Sequence, residues 1–146
     1  MNMFRKLIPF LWLACLSIGC CGHKEVAGTV APDDFVFGSG GGITGKYTEY
    51  KVHNDGTIEQ KDFTTEAYEP YAKVDRNDVL PLFAELKKLA LQDFRFSHPG
   101  NMTNYIEVHD GTAVNRVKWG DPNAPVRPDI AAFFKRVKDF LRARKP

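Results

Sequence analysis

The spacing with the plainest chemical precedent is Gly40-x4-Gly45-Lys46, inside the run Gly38-Ser39-Gly40-Gly41-Gly42-Ile43-Thr44-Gly45. Glycines and a lysine so spaced can cradle phosphate when a Ser or Thr hydroxyl follows to hold Mg²⁺ and a helix begins there. Tyr47 follows instead, and the residues after it alternate like a strand, so a nucleotide partner is set aside. Glycines let the backbone turn tightly at positive φ. The run therefore reads as a turn between strands, and Gly40, Gly41, Gly42, Ile43, Thr44 and Gly45 are the candidate surface on which a partner can sit.

Other reactive side chains are sparse. Glu107 and His109 lie two apart and share one strand face. His53 holds the equivalent place in an earlier hairpin, with Asp55 and Asp110 near the two turns. A surface metal site could be built from such a set, but turn-flanking polar residues on a solvated face account for it more simply, so no metal and no cofactor is expected. Beyond residue 19 the only serines are Ser39 and Ser97, and neither sits in a Gly-x-Ser-x-Gly elbow. His98 follows Ser97 directly, which is adjacency in the chain and not the spatial arrangement of a triad. No catalytic residue is assigned and the chain is not expected to be an enzyme.

Cysteine supplies one modification site. Arg5 and Lys6 precede an uncharged run from Leu7 to Gly19, too short to span a bilayer, which takes about 20 residues. A basic flank and an apolar core have the form of an export signal. Its end, Leu16-Ser17-Ile18-Gly19-Cys20, resembles a lipobox, with Ser17 where leucine is usual. Cys20 is therefore the expected lipidation site, carrying diacylglycerol and an N-acyl group, and two or more acyl chains suffice for stable membrane anchoring. Cys21 is not the Asp that often marks retention at an inner membrane. The expected location is thus the cell envelope, at an outer membrane facing the periplasm or the cell surface. Cys15 lies in the signal and Cys21 in the tether, so the domain has no cysteine for a disulfide, a thiolate nucleophile or a zinc–thiolate site.

These features divide the chain into a signal (1–19), the lipidated cysteine with a flexible tether (20–32), and one globular domain (33–146). The tether would hold the domain roughly 20 Å from the lipid by root-length scaling. The whole chain has 20 basic and 18 acidic groups, and loss of Arg5 and Lys6 with the signal leaves it formally neutral. Nucleic-acid binding needs a basic excess, so that class of partner is excluded.

The elements that position the glycine run follow from periodicity. Phe35-Val36-Phe37 opens a short strand and Tyr47 to His53 alternates as another. Asn54-Asp55-Gly56 is a hairpin turn and Thr57 to Phe63 returns from it. Val79, Leu82, Phe83, Leu86, Leu89 and Ala90 form one apolar stripe at helical period. Asp78 is taken as the N-cap of that helix, because this places Pro81 in the first turn, where its missing N–H costs least. The strand around Tyr105–His109, the turn Asp110-Gly111 and the strand Thr112–Trp119 then echo the first hairpin. After a Pro-rich loop (120–128), Ile130, Phe133, Phe134, Val137, Phe140 and Leu141 repeat the helical stripe. The expected fold class is α+β: an antiparallel β-sheet of four to five strands with two helices on one face, with a possible ββα pseudo-repeat. The last helix also carries Lys135, Arg136, Lys138, Arg142, Arg144 and Lys145, cations that suit a helix C-terminus or an anionic lipid surface.

The order of these features resembles emfourin, a family of small bacterial inhibitors of thermolysin-like metalloproteases, and a set of lipoproteins sharing a glycine motif. The likeness is carried by Gly41-Gly42-Ile43-Thr44-Gly45 at the end of a strand and by the helix with Leu82, Leu86 and Leu89 leading to Phe94. The Tyr105–Gly111 strand and turn and the closing helix complete it. It spans residues 33–142, with Ile43 where the motif commonly has an aromatic. What it implies is a protein-binding module whose partner is a secreted or envelope metalloprotease. The alternative is a structural lipoprotein of envelope assembly without inhibitory activity.

Overall fold

The computed structural model describes residues 32–144. The signal, Cys20 and the tether up to residue 31 lie outside them. The chain is mixed α+β: β1 (Asp34–Gly41), β2 (Lys46–His53), β3 (Thr57–Asp62), β4 (Ala67–Lys73), α1 (Arg76–Leu89), β5 (Ser97–His98), β6 (Met102–Asp110), β7 (Ala113–Trp119) and α2 (Pro128–Arg142). The strands form one sheet in the order β4-β3-β2-β1-β6-β7-β5, antiparallel except for the two-residue β5–β7 pairing. β1 is the central strand, hydrogen-bonded to β2 on one side and β6 on the other.

Seven strands replace the expected four to five, and the additions lie at the sheet edges. β4 carries Pro70 and Glu69, both poor strand formers, which an edge tolerates because one side of its backbone pairs with nothing. Its pairing with β3 also slips between Ile58 and Glu59, leaving Tyr71 without an opposite residue. This bulge breaks the alternation by which a strand is recognised. β5 is too short to carry a pattern.

Phe35 shows why both helices share one face. Its fully buried ring meets Phe83 of α1 at 5.2 Å and Phe133 of α2 at 5.8 Å between centroids. Around it Val52, Ile58, Val79, Leu86, Ile106, Val108, Val117, Ile130 and Val137 are buried in the same cluster. Each large side chain so buried contributes about 2 kcal/mol. All of these elements and core residues lie between 34 and 142, so a chain beginning at Gly22 retains the entire folding unit.

Helix α1 starts one turn before the expected place. Asp75 is the N-cap, its carboxylate accepting from the Asn77 N–H at 2.7 Å, and Pro81 lies inside the helix. The early turn gains a side-chain cap, and Pro81 is exposed, so its ring displaces no core residue. Ala90, at the other end of the expected stripe, is also excluded from the helix: it is the C-cap in left-handed conformation (φ 49°) and is exposed.

The two echoing hairpins are not equivalent in space. Tyr50 points to the helices and stacks with Phe37 at 5.6 Å, whereas Tyr105, its counterpart in the echo, reaches Glu49 on the opposite face. Shared turn vocabulary accounts for the likeness. Among the described residues no helix is long and apolar enough to cross a membrane.

Candidate binding surface

The glycine run forms the β1–β2 hairpin. Gly40 and Gly41 end β1, Gly42, Ile43, Thr44 and Gly45 make the turn, and Lys46 starts β2 opposite Gly41. The turn is closed by Gly45 N–H donating to Gly42 O at 3.2 Å and is tied sideways by Gly42 N–H donating to Asn101 O at 2.6 Å. Gly41 has φ 114°, and a Cβ there would lie 2.3 Å from Asn101 O. Only glycine combines that backbone with that approach.

This tie fixes the tip and leaves its side chain outside. Ile43 is as exposed as in an isolated peptide (106%), and Met102, which starts β6 opposite Gly41, is 53% exposed. Tyr47 and Phe63, both exposed, lie 6.2 Å apart between ring centroids on the neighbouring strand ends. The β1–β2 turn, the β3–β4 turn and the start of β6 thus carry four large apolar side chains to one end of the sheet. The chain enters β1 at the other end, where Asn54 N–H donates to Asp33 O at 2.9 Å. Eight residues of extended chain place the two ends about 26 Å apart.

The face of the sheet turned away from the helices holds a polar network centred on Glu49. Tyr105 of β6 reaches across β1 and donates its hydroxyl to Glu49 Oε2 at 2.5 Å, and Tyr68 of β4 donates to Oε1 from the other side. Glu49 is left 3% exposed. Gly38 makes this possible: a Cβ on it would fall 2.4 Å from the Tyr105 hydroxyl and 2.7 Å from Thr48 O. The Arg116 guanidinium lies 3.8 Å from Glu49, sits over the Tyr105 ring at 4.7 Å, and donates from Nε to Glu107 at 2.6 Å.

Burial, then the bond to the Glu49 carboxylate, pushes both the Tyr68 and Tyr105 hydroxyls well above the usual phenol range. Burial works to raise Glu107 as well, but hydrogen bonds from Arg116 and His109 outweigh it and hold its carboxyl below the usual range.

His109 joins this network through Glu107, while His53 pairs separately on β2 and β3. His109 places Nδ1 2.8 Å from Asp34 and Nε2 3.0 Å from Glu107, and His53 Nε2 lies 2.9 Å from Glu59. Asp55 caps its own turn by accepting from the Thr57 N–H at 2.7 Å. Among the described residues no group of three or more His, Cys, Asp or Glu is arranged to hold a metal ion. Ser97 and His98 form β5, both exposed.

The cations of α2 are largely neutralised within the protein. Lys135 and Arg142 pair with Asp139, Arg136 with Glu85 of α1, and Arg144 with Asp78. Lys145 lies outside the described residues. Glu49 and its two tyrosines are absent from the sequence-based site because 19 and 56 residues separate the partners. The alternation Gly38-x-Gly40, on one face of a central strand, is the signal that could have pointed to rings lying across it.

Comparison with models of known protein families finds no match, and comparison with curated proteins finds none either.

Proposed function

We propose that the domain is a protein-binding module of the cell envelope, anchored through Cys20, that offers the β1–β2 tip to its partner. The observation that carries this reading is Ile43: a large apolar side chain fully in water, at the apex of a hairpin whose backbone is pinned to Asn101. Burying an exposed isoleucine of this kind is worth about 2 kcal/mol to a complex, and a pinned loop loses little entropy on binding. The glycine motif and the order of elements favour a secreted or envelope thermolysin-like metalloprotease as the partner, making the domain an inhibitor of emfourin type.

Soluble protein from Gly22 onward, titrated against thermolysin and related proteases, tests it. Dose-dependent inhibition that falls by about tenfold or more in Ile43→Ser, with an unchanged melting temperature, is the expected result. Absence of inhibition at micromolar concentration against several such enzymes would overturn the inhibitor form. Inhibition equal in wild type and Ile43→Ser would remove the tip from the contact. The competing reading, a structural lipoprotein of envelope assembly, would gain if the protein inhibits nothing and its deletion alters envelope integrity.

A further inference from the structure

Residues 22–146 contain a single sulfur atom, that of Met102, because Met1, Met3 and all three cysteines come before them. The fold puts this atom on the candidate binding surface. Met102 starts β6 opposite Gly41 and is 53% exposed. Its thioether lies beside the space that a side chain on Gly42 would take: a Cβ there, where φ is 68°, would meet the Met102 sulfur at 3.3 Å. No other atom outside Gly42 and its chain neighbours comes within 4 Å of that position, so the thioether alone covers this side of the turn that carries Ile43. The backbone beneath is tightly held. Gly120 approaches so closely that a Cβ on it would lie 2.1 Å from Met102 O, and Asn101 O holds the Gly42 N–H at 2.6 Å. A change of chemistry at the sulfur therefore falls on the side chain and on the turn.

An accessible thioether is open to peroxide, and oxidation turns a flexible apolar side chain into a polar one. We propose that Met102 is a reversible oxidation site that sets the state of the β1–β2 tip. The sulfur lone pair takes one oxygen from hydrogen peroxide and the O–O bond breaks. Sulfur is oxidised by two electrons to the sulfoxide, and the departing hydroxide takes up the proton of the transferred oxygen and leaves as water. Two thiols of a reductase reverse the step, giving the thioether, a disulfide and water. In the reduced state the thioether packs on Gly42 and the tip is apolar. In the oxidised state the S–O group needs water and the side chain leaves Gly42. A partner covering the tip must then bury that polar group without a hydrogen bond. The effect on a partner rests on the tip being the binding surface proposed above; the effect on the turn does not.

Protein from Gly22 onward, treated with hydrogen peroxide and then with catalase, provides the test. Mass spectrometry should find one added oxygen, on Met102, acquired as fast as by methionine in an unstructured peptide. Trp119, 9% exposed, should stay unmodified. Amide shifts should change at Gly41 to Gly45 and at Asn101 with the melting temperature unchanged. They should return when the two stereospecific methionine sulfoxide reductases and dithiothreitol are added. Met102→Leu should show none of these changes on the same treatment. If the untreated protein inhibits thermolysin, the oxidised form should do so about tenfold more weakly, while Met102→Leu is as potent after peroxide as before it. Resistance of Met102 to peroxide, or shifts absent from the turn, would overturn the proposal. So would a lowered melting temperature with shifts spread through the core. Full inhibition by the oxidised protein would also overturn it and leave the inhibitor reading standing. Absence of inhibition by the untreated protein would end the inhibitor reading alone, and the shifts at the turn would then decide the switch.

Discussion

The Tyr105 hydroxyl bonds Glu49 at 2.5 Å over the top of Gly38, so two strands that are not neighbours are joined across the one between them. The backbone ladders of β1 with β2 and with β6 are independent of each other, whereas this side-chain bond couples them. Glu49 is nearly sealed from water, so each bond it accepts also offsets the cost of burying its charge.

Gly38→Ala should therefore do more than add a methyl group. Its Cβ would displace the Tyr105 hydroxyl, and the substitution should cost about 2 kcal/mol or more in urea unfolding. Tyr105→Phe should cost about 1–3 kcal/mol by removing a hydrogen bond to a buried carboxylate. Both act on one bond, so the double variant should lose clearly less than the sum. Full additivity would show that the Gly38 effect lies elsewhere.

The glycines of the hairpin should not respond alike. Gly41→Ala meets Asn101 O in addition to backbone strain, whereas a Cβ on Gly45 (φ 60°) meets nothing within 4 Å. Gly45→Ala should cost about 1 kcal/mol, the penalty of a left-handed L-residue, and Gly41→Ala measurably more. Thermal melts of the two variants side by side decide it, and equal losses would argue against the contact with Asn101.

Alkaline titration should divide the five tyrosines. Tyr68 and Tyr105 are pushed well above the usual value, and Tyr50 is raised by burial and then by Tyr71. A raised folded-state pKa contributes stability that is complete below the unfolded value near 10 and is lost as pH rises through the folded one. Absorbance at the tyrosinate band should therefore show Tyr68 and Tyr105 ionising only together with unfolding. Five rings titrating as one near pH 10 in a folded protein would contradict the network.

Acid should act through Glu107. Its carboxyl is held below the usual range despite burial, so its contribution is complete above the unfolded carboxylate value, about 4.3, and is lost as pH falls through the folded value. Arg116→Gln removes the main donor. Between pH 7 and pH 3 the variant should lose less stability than the wild type, although it starts lower. Parallel curves would indicate that Arg116 does not set the Glu107 charge state.

The residues declare some of this fold and conceal the rest for physical reasons. The stripes of α1 and α2 repeat at 3.6 residues because one face of each helix is buried, and the Asn54-Asp55-Gly56 turn needs residues that accept its backbone. β4 is hidden because an edge strand can hold Pro70 and a bulge at Tyr71, which erase the alternation. The start of α1 is misplaced when Pro81 alone is weighed, since the Asp75 cap outweighs the bond the proline forfeits. Of the candidate surface, the glycine motif is legible as a turn. That Ile43 stands free, and that Glu49 lies buried under two tyrosines, depends on strand register, which no short window of sequence contains.

β1 also has a mechanical meaning. The chain enters the domain at one end of this central strand, and Ile43 stands just past the other. A tether pulled from the N-terminal side and a partner gripping the tip would load the same ten residues in tension. The force would pass along covalent bonds while the ladders to β2 and β6 carry only shear. A domain loaded in this way can be tugged between a support and a captured partner without its sheet being unzipped.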